Sequence, residues 1–246
     1  MEDKQTIIFS ASNALCKWLK LDLQRLPQPD GKQVGVATLV SDRNTISWQV
    51  HVIYTDSWRQ KTTVIAVEAN SRFTLLLPFD TQLSQEGLEK AILEQWANEL
   101  VSLMVKQGEI SRKDTARVFT RFYQQTQNVE WYRNTDLSVN GHVIDAEQWV
   151  KDTLNGRGLD ALDEEMALSL SWHINSMQKS AKGKNANKRR FYPVPLFVED
   201  GLYRYARTLF EQDRFSYMFE QEEKVALPRQ SGDVISLQEY RQRNKK

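Results

Sequence analysis

His142 and Asp145 stand three positions apart in a polar, turn-rich stretch, 134–149, that leads into a strongly amphipathic segment. If a helix has begun by Asn140, the two share a face and pair an imidazole with a carboxylate, as general acid–base chemistry requires. The same residue types also suit a first helical turn without any chemistry, because a polar side chain there caps free N–H groups and an acid opposes the positive end of the helix dipole. No Ser, Thr or Cys in the stretch is marked by its spacing as a nucleophile.

A second set lies downstream. Lys179, Lys182, Lys184, Lys188, Arg189 and Arg190 put six cations and no acid into 178–190, and Phe191 and Tyr192 follow at once. Cations neutralise phosphates while aromatic rings stack on bases, which is the mixture used on single-stranded nucleic acid or RNA. A solvated basic loop has the same composition, and the formal net charge of only +1 supplies no global field for polyanions.

Other polar groups suggest no metal or cofactor. His51, His142 and His173 occur in no H-x-x-x-H arrangement, and the single cysteine, Cys16, excludes a multi-cysteine zinc site and an internal disulfide. Cys16, between Leu15 and Trp18, fits packing. Asp160, Asp163, Glu164 and Glu165 could gather a divalent cation, but acids at a helix start are accounted for by the dipole. Gly156-Arg-Gly158 is a helix stop without the spacing of a phosphate loop.

These residues need a scaffold, and the chain is long enough to build one: 246 residues, 40% hydrophobic, with seven Trp, eight Tyr and ten Phe. No basic-then-apolar leader and no apolar run of roughly 20 residues is present, so a cytoplasmic location is expected, with no membrane partner.

Residues 1–80 read as a sheet with one early helix, which Ser10 or Ser12 can cap. Strands are expected at 6–9, 34–40, 46–54, 62–69 and 73–77, and the short turns between the later ones favour antiparallel pairing. From 81 to 177 the period becomes helical. One helix carries Leu88, Ile92, Trp96, Leu100 and Leu103 and ends at Gly108; a second, opened by Ser111 and Asp114, turns Ala116, Phe119, Phe122 and Tyr123 inward. A third buries Ala146, Trp149, Val150, Thr153 and Leu154 and stops at Asn155-Gly156, and a fourth starts near Asp160 with Leu162, Met166, Leu170, Ile174 and Met177. Residues 178–195 form a mobile basic loop whose Tyr192-Pro-Val-Pro195 is extended. Asp200 then caps a terminal helix, 200–219, bearing Leu202, Tyr205, Ala206, Leu209 and Phe210. The order, strands then helices, predicts an α+β domain over 1–225. Residues 226–246 form a tail in which Val234, Leu237 and Tyr240 are spaced to dock as a short helix on a protein partner or back on the chain's own sheet.

The segments Ile7-Ile-Phe-Ser-Ala-Ser-Asn-Ala-Leu-Cys-Lys-Trp-Leu-Lys-Leu21, the hairpin 49–78, the loop 134–145, and His173-Ile-Asn175 followed by Lys188-Arg-Arg-Phe-Tyr-Pro193 resemble, in that order, parts of a family of bacterial proteins known only as a domain without assigned activity. The resemblance spans 5–197. His142 departs from it, standing where the family has a small polar residue, and so do an expanded basic loop and residues 198–246. It implies a bacterial cytoplasmic α+β domain, from mobile or accessory gene neighbourhoods, and no chemistry.

The sequence therefore points to a non-enzymatic binding protein, with single-stranded nucleic acid or RNA on Lys182, Lys184, Lys188, Arg189, Arg190, Phe191 and Tyr192. A protein-binding regulator of inhibitor or antitoxin type is one alternative. Another is an enzyme acting on a nucleotide or nucleic acid through His142 and Asp145.

Overall fold

A computed structural model describes residues 5–27, 37–56, 58, 60–182, 188–207 and 209. Five strands form one sheet: β1 (Thr6–Ala11), β2 (Thr45–Tyr54), β3 (Thr62–Glu68), β4 (Thr74–Phe79) and β5 (Asn128–Arg133), in the order β4-β3-β2-β1-β5. The fold is α+β, but the sheet is mixed and not antiparallel throughout. β1 runs parallel to both β2 and β5, whereas β2, β3 and β4 are mutually antiparallel. The short turns were a sound guide for β2 to β4, while β1 reaches β2 through helix α1 (Asn13–Leu19) and a long connection, as a parallel crossover requires.

Successive side chains of a strand point to opposite faces of the sheet, and both faces are packed. Ile46, Trp48, Val50 and Val52 of β2 join Ile7, Phe9 and Phe73 on one face, against α1, α2 (Gln85–Lys106), α3 (Thr115–Gln125) and α6 (Pro193–Gly201). Ile65, Val67 and Leu76 point to the opposite face, beneath α4 (Leu137–Arg157) and α5 (Glu164–Ser176). The helices thus cover both faces, and β3 is buried at every position. Over β1 and β2 much of this second face is polar, carrying Ser10, Ser47, Gln49 and His51, with Ile53 joining the apolar cluster near the end of β2.

Several expectations are corrected. The described part of the expected strand at 34–40, residues 37–40, is not a strand; its main chain is satisfied by side chains, since Ala37 N donates to Asn134 Oδ1 (2.6 Å) and Leu39 N to Asp136 Oδ2 (2.7 Å). The second helix of the helical half begins at Thr115 after a short turn, and Ala116 and Tyr123 lie on its exposed side while Val118 and Phe122 are buried. α4 runs on to Gly158, whose φ of 65° provides the left-handed stop that a residue with a Cβ resists. α5 begins at Glu164, because Asp163 accepts from Met166 N (2.7 Å), and it ends before Met177.

Near the end of the described chain, Pro193 and Pro195 begin a helix and do not extend, since proline is at home in a first turn whose N–H groups have no partner. Asp200 is consequently inside that helix, bonded to Arg204 Nε at 2.7 Å, and not its cap. A π-helical turn continues over Leu202–Ala206. Phe210, the rest of the expected helix to 219 and the tail with Val234, Leu237 and Tyr240 lie outside the described residues. Among the described residues no helix is long and apolar enough to cross a membrane.

Candidate functional site

The stretch 134–149 is mostly helix, not loop. Asp136 caps α4 by accepting from Ser138 N (2.6 Å) and Val139 N (3.3 Å), so the helix begins at Leu137 and His142 and Asp145 sit well inside it. The polar residues before it fasten the fold. Gln49 Nε2 donates to Ser10 O (2.8 Å) and Asn134 O (3.1 Å), and its Oε1 accepts from Asp136 N (2.9 Å). Asn134 Nδ2 in turn donates to Ala37 O at 2.8 Å. This buried network ties β1, β2, residues 37–39 and the start of α4 together, which accounts for Asn134 and Asp136 structurally.

The basic segment is a β-hairpin. β6 (Lys179–Lys182) pairs antiparallel with β7 (Lys188–Phe191), and Lys184 lies between them outside the described residues. Ser180 and Arg190, directly opposite, are exposed, while Lys179 and Phe191, also opposite, are buried. Tyr192, just past the hairpin, is half exposed at 50%.

The two candidate sets meet. His142, Asp145, Trp149 and Asp152 of α4 and Met177, Gln178, Lys179 and Ser180 at the root of the hairpin line an open cavity of about 370 Å³. Trp149, expected in the core, is 38% exposed and forms part of this wall, because Ala146 and Val150 on the neighbouring helical positions take the contact with the sheet. His173 of α5 packs against it.

The site is electrostatically tuned by burial. His142 is driven down to about 4, first by desolvation and then by Arg72 and Lys179, against the opposing pull of Asp145 and a main-chain hydrogen bond at Ser180. It is therefore a neutral ring at pH 7, with a buried Nδ1 that has no partner. Burial also lowers Lys179, with Asp145 acting to keep it charged. The cavity thus offers a neutral imidazole, two carboxylates, an ammonium and an indole within one concavity.

Among the described residues no group of three or more His, Cys, Asp or Glu is placed to hold a metal ion. Asp163, Glu164 and Glu165 belong to the start of α5, and Cys16 is buried with its thiol pushed up by desolvation. His51, half-buried on β2, has a partner that its sequence neighbours do not suggest: Ser12 Oγ lies 2.8 Å from its Nδ1. Only the parallel pairing of β1 with β2 brings those positions abreast, and nothing in the local residue pattern signals it. The chain matches no known protein-family model, no curated protein and no solved structure.

Proposed function

We propose that this protein binds single-stranded nucleic acid through the β6–β7 hairpin, with one base received in the cavity at the hairpin's root. The observation that carries this reading is the shared wall: Lys179 and Ser180 belong to the basic hairpin and also line the cavity with His142, Asp145 and Trp149. A phosphate backbone following the cations at Lys182, Lys184, Lys188 and Arg190 reaches a concavity with an aromatic wall and hydrogen-bonding groups of both kinds, which suits a nucleobase. Volume agrees, since a cavity of about 370 Å³ admits one base and not a duplex. Tyr192 adds an exposed ring beside the hairpin, whereas Phe191, buried, anchors it.

The second reading is an enzyme acting on the same kind of ligand, with His142 as base and Asp145 beside it. It draws support from the same cavity, which brings both residues to one wall and holds the imidazole neutral. In either case the protein is read as cytoplasmic. Docking of a protein partner through Val234, Leu237 and Tyr240 stays a separate proposal, outside the described residues.

The test is fluorescence anisotropy with labelled oligo-dT and oligo-rU over a salt series. Affinity should fall steeply with salt, and neutralising Lys184, Lys188, Arg189 and Arg190 together should weaken binding and flatten the slope by about 0.7 for each phosphate that is no longer neutralised. No salt-dependent binding to either oligonucleotide at low ionic strength rejects the reading. Release of a cleaved or altered nucleotide that disappears in His142→Ala selects the enzyme over the binding protein.

A further inference from the structure

Ser12, His51 and Glu147 form a chain of side chains that the nucleic-acid reading leaves unused. Ser12 follows the last residue of β1, the strand with parallel neighbours on both sides, and its N–H extends the ladder by donating to Val50 O at 3.0 Å. That bond sets it abreast of His51 on β2. Ser12 Oγ then lies 2.8 Å from His51 Nδ1, and Nε2 of the same ring lies 3.9 Å from Glu147 Oε2 on α4. The direction of the Ser12–His51 hydrogen bond follows from its surroundings. Nε2 faces a carboxylate and so carries the ring proton, which leaves Nδ1 to accept from the serine hydroxyl; one lone pair of Oγ is already occupied by Leu15 N, at 3.2 Å.

A hydroxyl donating to a ring nitrogen whose other N–H faces a carboxylate is what an activated oxygen nucleophile requires. The location is also suitable, because the carboxyl ends of parallel strands are where chain connections diverge and leave room for a ligand. The group is not sealed: Ser12 retains 7% of its surface, and the His51 and Glu147 side chains retain 22% and 25%. Burial lowers His51 below the ordinary imidazole range, with Glu147 opposing and Lys151 reinforcing, so the ring is a neutral acceptor at pH 7. Those two residues of α4 are the charged groups that act on it, and Lys151 Nζ donates to Glu147 Oε1 at 2.6 Å, holding that carboxylate in place.

We propose that Ser12 is a nucleophile, His51 its general base and Glu147 the residue that positions His51, for transfer of a small acyl group from an ester to water. Ser12 Oγ bonds to the acyl carbon as its proton passes to His51 Nδ1. The bond from the acyl carbon to the leaving oxygen breaks as Nδ1 returns that proton to it, and an alcohol departs. Water then attacks the acyl–serine, losing a proton to Nδ1. The acyl–Oγ bond breaks with the proton restored to Oγ, releasing a carboxylic acid.

The experiment treats the full chain with a fluorophosphonate probe and, separately, with p-nitrophenyl acetate. One adduct per chain is expected, on the peptide that contains Ser12, with saturable ester hydrolysis that rises with pH as His51 loses its proton. Ser12→Asn keeps an acceptor at the start of α1 and so keeps the fold by circular dichroism, yet should lose both adduct and turnover. His51→Gln should slow both at least about 100-fold. Glu147→Gln should lower kcat several-fold with KM unchanged and displace the pH profile, which loss of a surface ion pair alone would not do. Absence of an adduct at Ser12 in the unaltered protein, or labelling indifferent to His51→Gln, overturns the proposal and leaves Ser12 as a helix cap.

Discussion

Trp149 meets His173 edge-on, with ring centroids 4.9 Å apart and planes inclined by 73°. The contact joins α4 to α5 at the rim of the cavity and stands outside both apolar cores. Trp149→Ala should therefore lower stability by less than about 1.5 kcal/mol. Trp48→Ala, which empties a site packed by Trp96 and Phe197, should cost about 3–5 kcal/mol. If Trp149 stacks on a base, the same variant should weaken oligonucleotide binding about tenfold. Chemical denaturation paired with anisotropy separates the two effects; a Trp149→Ala protein destabilised as much as Trp48→Ala would place the ring in the core.

His142 should make the fold acid-sensitive. Its folded value of about 4 lies below the ordinary 6.5, so under acid the unfolded chain takes up a proton that the folded chain refuses. The stabilisation is complete above 6.5 and is lost progressively as pH falls towards 4, by up to roughly 3 kcal/mol. His142→Leu should flatten the dependence of melting temperature on pH across that window. His51, also lowered by burial, contributes in the same range, so the slope should shrink without vanishing.

Glu99 should behave in the opposite sense. It is buried between α2 and α5; Gln95 Nε2 donates to its Oε1 at 2.9 Å, Oε2 lacks a partner, and desolvation raises it to about 7 against the favourable hydrogen bond of Gln95. The folded chain therefore holds the proton more tightly than the unfolded one. The penalty is absent below about 4.5 and is fully imposed above about 7. Glu99→Gln should raise the melting temperature at pH 8 by several degrees, on the order of 1–3 kcal/mol, and leave it unchanged near pH 4. Equal effects at the two pH values would exclude a buried titrating carboxyl.

Gly201 marks the closest approach of α6 to α2. A Cβ built there would fall 2.5 Å from Leu100 Cδ1 and 2.8 Å from Met104 Cε. Gly201→Ala should cost about 1–3 kcal/mol through overpacking, although alanine is the better helix former. Pairing it with Leu100→Ala should recover part of the loss, measured by a double-mutant cycle. A stabilised Gly201→Ala protein would show that the two side chains move aside freely.

Patterning made the α+β class legible, because β2 and β3 carry β-branched and aromatic runs and α2 an unbroken helical stripe. β5 carries no such pattern: Asn128-Val-Glu-Trp-Tyr-Arg133 is short, edges the sheet and buries only Trp131 among its side chains. The turn formers of 134–136 mask the early start of α4, although Asp136 is an ordinary cap signal just before Leu137. His142 and Asp145 were recognisable from their spacing, and so were the hairpin's cations from their clustering. That these form one cavity depends on β6 packing against α4, and the approach of Ser12 to His51 depends on a pairing across 39 positions. Such tertiary relationships leave no periodic trace in a single chain.

The place of β1 between β2 and β5 has a consequence during synthesis. By the time residue 79 has left the ribosome, four strands exist and the β2–β3–β4 meander can pair from local contacts. The outer edge of β1 must wait until residues 128–133 emerge, which at about 5–20 residues per second leaves its N–H and C=O row open for several seconds. A nascent chain stalled between these two points would present a ready template for strand addition, so holdase chaperones should be found on chains of about 80–130 residues and not on the finished protein.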